Sequence, residues 1–331
     1  MPDTAAPVDD IILDIQNVHR HYDPTHALKG VSFKARRGEV IALVGPNGAG
    51  KTTIGAIIAQ REKPDLGKVV YYLDEGETED PDLSQIGFFP GDSSFYMSLA
   101  VERLLYHAAT RKGLSGSEAA EATQYWLDRL GMTNRPNQAL SSFSKGNQQK
   151  IQFAESVLHG PSIVYLDEPF NGLDPVNQEW FIGLIRELQE TGMTILISDH
   201  HMHLLERIAD RILIMHQGKL VADGTLPTLR QRSQVGLSVR LRVVDPMAVD
   251  LKPFREHPAI RSIERTASGD IRMLVSAAVP RNDVLNFAKQ RMRLTEILAE
   301  PASLHDIYVT VFSVQSADAE INEAAATAAA A

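Results

Sequence analysis

Val40-Ile41-Ala42-Leu43-Val44-Gly45-Pro46-Asn47-Gly48-Ala49-Gly50-Lys51-Thr52-Thr53 runs from an apolar stretch through a glycine-rich turn into a lysine and two threonines. A strand followed by such a turn and then a helix is the layout of a phosphate-cradling loop. Glycines let successive backbone N–H groups point at a β-phosphate, and the positive end of the following helix adds to the attraction. Asn47, Gly48, Ala49, Gly50, Lys51, Thr52 and Thr53 are therefore the candidate phosphate-binding residues. Lys51 reaches the β- and γ-phosphates, and the Thr52 hydroxyl is placed to ligate magnesium. The ligand is a nucleoside triphosphate. Its use stays open, since kinases, GTPases, helicases and transport ATPases share this loop.

Ser162-Ile163-Val164-Tyr165-Leu166-Asp167-Glu168-Pro169 reads as a second buried parallel strand ending in two carboxylates. Asp167 is the candidate magnesium ligand, acting through water. Glu168, one residue further out, can take a proton from a water attacking the γ-phosphate. A third apolar run, Thr194-Ile195-Leu196-Ile197-Ser198, ends at Asp199-His200-His201-Met202-His203. Ligands of open α/β sheets sit outside the carboxyl ends of the strands, which places His200 near the γ-phosphate. The histidines could instead form a metal cluster; His201 and His203, at the start of a helix, read as ordinary surface residues.

Leu140-Ser141-Ser142-Phe143-Ser144-Lys145-Gly146-Asn147-Gln148-Gln149-Lys150 precedes the amphipathic run from Ile151 to His159. Physically it is a polar turn with a serine cap, opening a helix whose start attracts anions. With the motifs around it, this stretch resembles the signature of ATP-binding-cassette (ABC) ATPases. The resemblance spans residues 11 to about 228 in consistent order. It implies that Ser144 and Gly146 contact the γ-phosphate held by a second copy, so that two copies close face to face as a homodimer around ATP and Mg2+. Tyr22, 29 residues before Lys51, is similar to the family's adenine-stacking aromatic residue. Asn171-Gly172-Leu173-Asp174-Pro175 is similar to the loop between the two sites, with Asp174 making the cross-dimer contact. Asp210 to Gly224 resembles the hairpin that ends these domains.

Three departures stand out. Gly91 occupies the place of a glutamine that touches magnesium and senses the membrane partner, and Asp92 is the nearest side chain that could substitute. Lys145 and Asn147 replace the commonest glycine and glutamine of the signature; the lysine variant resembles the subfamily exporting drugs, polysaccharides and lipids. Asp199 stands where threonine or serine is usual and could pair with His200.

The chain has 331 residues, 44% of them hydrophobic, a net charge of −9 and no cysteine. That suits two packed domains. The absence of a basic block argues against nucleic acid as a partner. No apolar run approaches a membrane span and no signal-peptide layout is seen, so the expected place is the cytoplasm; the resemblance implies that it is peripheral on the inner face of the cell membrane. The fold expected is α/β: a P-loop NTPase (ABC ATPase) core over 11–228 with a helical signature subdomain at about 98–158, preceded by a mobile 1–10. A linker at 229–236 then leads to a small α+β, ferredoxin-like domain at 237–314 and an alanine-rich tail at 315–331. Alternation from Leu237 to Val243 starts a β-α-β-β-α-β order, with helices near 246–256 and 281–292 and a last one from Ser303. Arg240, Arg242, Arg261, Arg265 and Arg272 form either a basic face or one solvated side. Phe88, Phe89, Phe95, Tyr96 and Met97 either pack in the core or line a groove for a helix of a membrane protein.

The leading expectation is the ATP-hydrolysing subunit of an exporter, driving a separately encoded integral membrane permease. The rival is a soluble ABC-type ATPase acting without one, as an assembly or regulatory factor.

Overall fold

The computed structural model describes residues 10–74, 76–91 and 97–311. Strands β1 (Ile11–Tyr22) and β2 (Thr25–Arg36) form an antiparallel hairpin, and β3 (Val40–Val44) then enters the core and feeds helix α1 (Lys51–Ile58). Next, β4 (Leu66–Leu73) and β5 (Gly76–Thr78) return beside β1, completing an antiparallel sheet of order β2-β1-β4-β5. This sheet lacks a long uniform apolar run, and the motif reading above assigned it no strands.

After β6 (Ile86–Phe89) come three helices, α2 (Val101–Arg111), α3 (Gly116–Arg129) and α4 (Lys145–Val157). Ser115 and Glu118 cap α3 reciprocally, satisfying two otherwise free N–H groups. The chain continues through β7 (Ile163–Asp167), α5 (Pro175–Glu190), β8 (Thr194–Ser198), α6 (Met202–Ile208), β9 (Arg211–His216) and β10 (Lys219–Gly224). The central sheet has the order β10-β9-β3-β8-β7-β6, parallel from β9 to β6. β3 and β8 are buried along their whole length, which is why both read as continuous apolar runs rather than alternating ones.

The chain divides into one unit reaching Asp223 and another from Gly224. In the second, α7 (Leu226–Arg232) leads into β11 (Val235–Val243), α8 (Lys252–Arg255), β12 (Ile260–Arg265), β13 (Ile271–Ser276), α9 (Arg281–Lys289) and β14 (Leu294–Pro301), with a further helix over 304–311. The antiparallel sheet order is β12-β13-β11-β14. Two expectations are corrected. The linker placed at 229–236 is the end of α7 and the start of β11, held by buried Leu229 and Val235. The helix near 246–256 shrinks to the single turn of α8, which carries Pro253 in its first turn, where a missing N–H costs nothing, while the same proline could not sit in the interior of a longer helix begun near Pro246.

The arginines of this unit are largely spent internally. Arg242 pairs with Asp270 and Glu296, Arg272 with Asp306, and Arg265 donates to the carbonyls of Pro246 and Val249. A solvated, self-neutralised side describes them better than a basic face.

Candidate functional site

Strand β3 ends in the phosphate loop, β7 in Asp167 and Glu168, β8 in Asp199 and His200, and β6 in Pro90 and Gly91. Parallel neighbours release their chains at one edge of the sheet, where ligands collect. Gly50 caps α1 at φ 100°, a conformation side chains resist. A Cβ there would come within 2.7 Å of the Ala27 carbonyl, so the β1–β2 hairpin lies directly on the loop. Helix α1 begins with no side-chain cap and no acidic residue in its first turn. Its free N–H groups and positive end are left for an anion.

Lys51 is 6% exposed, and its Nζ donates to the carbonyls of Gly45 at 2.8 Å and Pro46 at 3.1 Å. Burial pushes its ammonium below the ordinary lysine range, while Glu168, Asp167 and Asp199 pull it back up. A desolvated cation held by two carbonyls and facing three carboxylates can swap these partners for phosphate oxygens. Asn47, Gly48 and Thr52 are exposed on the loop; Ala49 is buried and Thr53 half-buried.

Glu168 turns out of β7 at φ 49°, a rare conformation for a residue with a side chain. The turn brings Oε1 within 2.9 Å of Nε2 of His200. Asp167 lies in register with Ser198, whose hydroxyl donates to Oδ1. Thr52 and Asp167 together offer a hydroxyl and a carboxylate, the hard oxygen donors that suit magnesium. Among the described residues no three histidine or acidic groups are placed to hold a metal ion, so the histidine run is not a metal cluster there.

Asp199 does not pair with His200 as its position in the sequence suggested. It is buried, accepting from the backbone and Nδ1 of His201 at 2.7 and 2.6 Å and from the Phe170 N–H at 3.1 Å. The chain after β8 folds back so that the second histidine reaches the carboxylate, and the first is left to Glu168. Gly91 sits at the corner made by Asp167 and Glu168, where a Cβ would come within 2.7 Å of the Asp167 carbonyl. Asp92 lies outside the described residues, as do Phe95 and Tyr96.

Ser144 and Gly146 gather at the start of α4, where Gly146 packs on Asn177 and Leu173. Ser144 is exposed at the cap position but makes no cap bond with its side chain. Asp174 caps α5, accepting from the backbone and Nδ2 of Asn177, each at 2.8 Å. Tyr22 is 39% exposed at the end of β1, its hydroxyl donating to Glu62 while the Arg20 guanidinium lies 4.8 Å from the ring centre. A groove of about 570 Å3 opens between the core and the helical insertion, lined by Arg61, Leu83, Phe88, Pro90, Lys112 and Glu155 among others. Phe89 is fully buried beneath it.

Sequence reasoning missed Ser198, which could have been found by aligning the ends of the two parallel strands.

The profile of the ABC transporter family matches residues 28–171. The uncharacterised ABC transporter ATP-binding protein YhaQ of Bacillus subtilis is 30% identical over 90% of this chain and 97% of its own length. The linearmycin resistance ATP-binding protein LnrL of the same organism is 31% identical over 67% of this chain and 71% of its own. Among solved structures, the ATP-binding cassette MJ0796, in a dimeric post-hydrolysis state bound to ADP and phosphate, superposes with a TM-score of 0.59 at 25% identity, covering 65% of this chain and 99% of that one. With a phosphate loop, an acidic strand end and a facing histidine at one sheet edge, the chain belongs to the ATP-binding subunits of ABC transporters, and its cassette hydrolyses ATP.

Proposed function

We propose that the chain powers a membrane exporter. Two copies close on two molecules of magnesium–ATP, each gripped by Lys51 of one copy and by Ser144 and Gly146 of the other, and closure drives a separately encoded permease. The observation that carries this reading is the idle Ser144 hydroxyl, exposed at a helix start and capping nothing in its own chain. A serine at that position ordinarily bonds its own helix, so its freedom fits a ligand brought by a second copy. The dimeric MJ0796 cassette supports the same arrangement.

Glu168 is the proposed base and His200 its partner at the γ-phosphate. Tyr22 is proposed to meet adenine, and Asp174 to contact the second copy. Thr52 and Asp167 are the proposed magnesium ligands, and the ion would neutralise phosphate charge when bound. Differential affinity of nucleotide for closed and open dimers is what can bias a permease between conformations. The groove lined by Leu83, Phe88 and Pro90 together with Arg61, Lys112 and Glu155 offers such a protein an amphipathic seat, on the cytoplasmic face of the membrane. Export as the direction draws on the lysine variant of the signature and on the resistance role named for LnrL.

The test is phosphate release by the full chain with and without magnesium, beside its ATP-dependent dimerisation and recovery of a stoichiometric multi-span membrane protein. Full turnover by a strict monomer, with Ser144→Ala harmless, overturns the reading. Dimerisation and turnover without any membrane partner would favour the soluble rival.

A further inference from the structure

We propose that Gln149 is a positioning residue for ATP hydrolysis, joining the signature helix to the Glu168 carboxylate through Asn171. The inference rests on the function proposed above and adds a route within one copy. Gln149 lies one turn into α4 and is 5% exposed. Its Nε2 donates to the Asn171 carbonyl at 2.8 Å. Asn171 in turn holds Glu168 twice: its backbone N–H donates to the Glu168 carbonyl at 3.1 Å, and its Nδ2 lies 3.4 Å from Oε2. The other carboxylate oxygen faces His200. A hydrogen-bonded path therefore runs from the helix that begins at Ser144 to the residue proposed to activate water.

Packing brings the two ends of the path together. A Cβ on Gly146 would approach Asn177 Nδ2 to 2.8 Å, and one on Gly172 would approach Lys145 Nζ to 2.6 Å. The start of α4 thus lies against Gly172 and Leu173 of the loop after Glu168 and against Asn177 of α5, so the Gln149 bond joins elements already in contact. The amide is not there for filling space: its Oε1 is buried with no partner, an arrangement that is unfavourable and that an apolar side chain of the same size would avoid. What a methionine could not supply is the N–H that grips the loop. When a second copy's nucleotide engages Ser144 and Gly146, the displacement of α4 reaches this copy's Glu168 through Gln149 and Asn171, so closing one site sets the carboxylate of the other.

The experiment uses the full chain with ATP and magnesium. Gln149→Met keeps the volume and removes both polar groups. The expected result is nucleotide affinity and KM within about twofold of wild type, kcat lower by about tenfold or more, and an equal or higher melting temperature. A purely structural role would instead leave kcat intact and change only the melting temperature, which overturns the proposal. Asn171 is exposed, so Asn171→Ala decides the matter even where Gln149→Met fails to fold: a similar fall in kcat supports the link, and wild-type kcat overturns it. In the double variant a fall no larger than either single one supports one shared path, whereas multiplied losses overturn it. Glu168→Gln separates the two levels. Full turnover by that variant sinks the proposed base, while an inert Glu168→Gln beside a fully active Gln149→Met sinks only the linkage.

Discussion

Glu168 and His200 meet across the ends of adjacent parallel strands, Oε1 to Nε2 at 2.9 Å, with the glutamate backbone at φ 49°. Left-handed geometry at a residue with a side chain costs about 1 kcal/mol or more and persists where surroundings enforce it. Glu168→Gln keeps the shape and loses the base, so ATP binding should persist while phosphate release falls by about 10²-fold or more and an ATP-bound dimer accumulates on a sizing column. Glu168→Gly should lose turnover equally yet gain about 1 kcal/mol of stability, because glycine accepts this conformation freely. Urea denaturation of the two variants checks that pair of opposite outcomes.

Lys51 gives a different pattern. Its ammonium is buried and held by the Gly45 and Pro46 carbonyls, and desolvation already weighs against the charge. Lys51→Ala should therefore leave folding stability within about 1 kcal/mol, since it removes a buried cation along with its bonds. Nucleotide affinity should drop steeply because the β- and γ-phosphates lose their charge partner. Titration with a fluorescent ATP analogue reads this directly, and unchanged affinity would contradict the phosphate-loop assignment.

Gly55 and Tyr165 form the joint between α1 and β7. A Cβ on Gly55 would stand 2.2 Å from Cε1 of Tyr165, and the Tyr165 hydroxyl donates to the Lys51 carbonyl at 2.7 Å. Gly55→Ala should destabilise by about 3 kcal/mol through overpacking. Adding Tyr165→Leu should restore much of that by opening space. Tyr165→Phe alone should cost about 1 kcal/mol, the net worth of one hydrogen bond. Urea midpoints of the single and double variants measure all three, and an undiminished Gly55→Ala midpoint would show that the ring can move aside.

The sequence made parts of this site legible for a physical reason. Gly45 to Thr53 and Asp167-Glu168 are defined by backbone conformation and by residue type at fixed spacing, both of which appear in the letters. The continuous apolar strands β3, β7 and β8 announced themselves because burial on both faces leaves no polar alternation. What stayed hidden depends on side-chain direction after a strand ends. Nothing in Asp199-His200-His201 says which imidazole turns toward Asp199, and only the fold of the loop gives it to His201. Asp174 read as a contact for a second copy, while within the chain it serves as the cap of α5. Gln149 and Asn171 belong to separate motifs, and their bond exists only because α4 packs on the loop after Glu168. The helix expected near 246–256 is the single turn of α8, because Pro253 fits only the first turn of a helix and so fixes where this one can begin.

His159 makes stability depend on pH. The imidazole lies just past the end of α4 with Nε2 3.3 Å from the Ile86 carbonyl, and its Nδ1 is buried with no partner. Lys112 donates to the same carbonyl at 2.8 Å. Burial, together with the Lys112 charge, pushes the imidazole down to about 4, against an ordinary histidine value of 6.5. Below that ordinary value the unfolded chain takes up a proton that the folded chain refuses, so the unfolded state is the one stabilised by acid. The contribution is intact above pH 6.5 and shrinks as pH falls toward 4; between pH 7.5 and 5 it amounts to about 2 kcal/mol. Replacing the ring by an amide that can still donate to Ile86 removes the titration and keeps the bond. His159→Gln should accordingly lose less stability than wild type between pH 7.5 and 5, by about that amount, in urea denaturation at the two pH values. Parallel losses in the two proteins would mean that the ring is hydrated enough in the folded state to protonate at its usual pH.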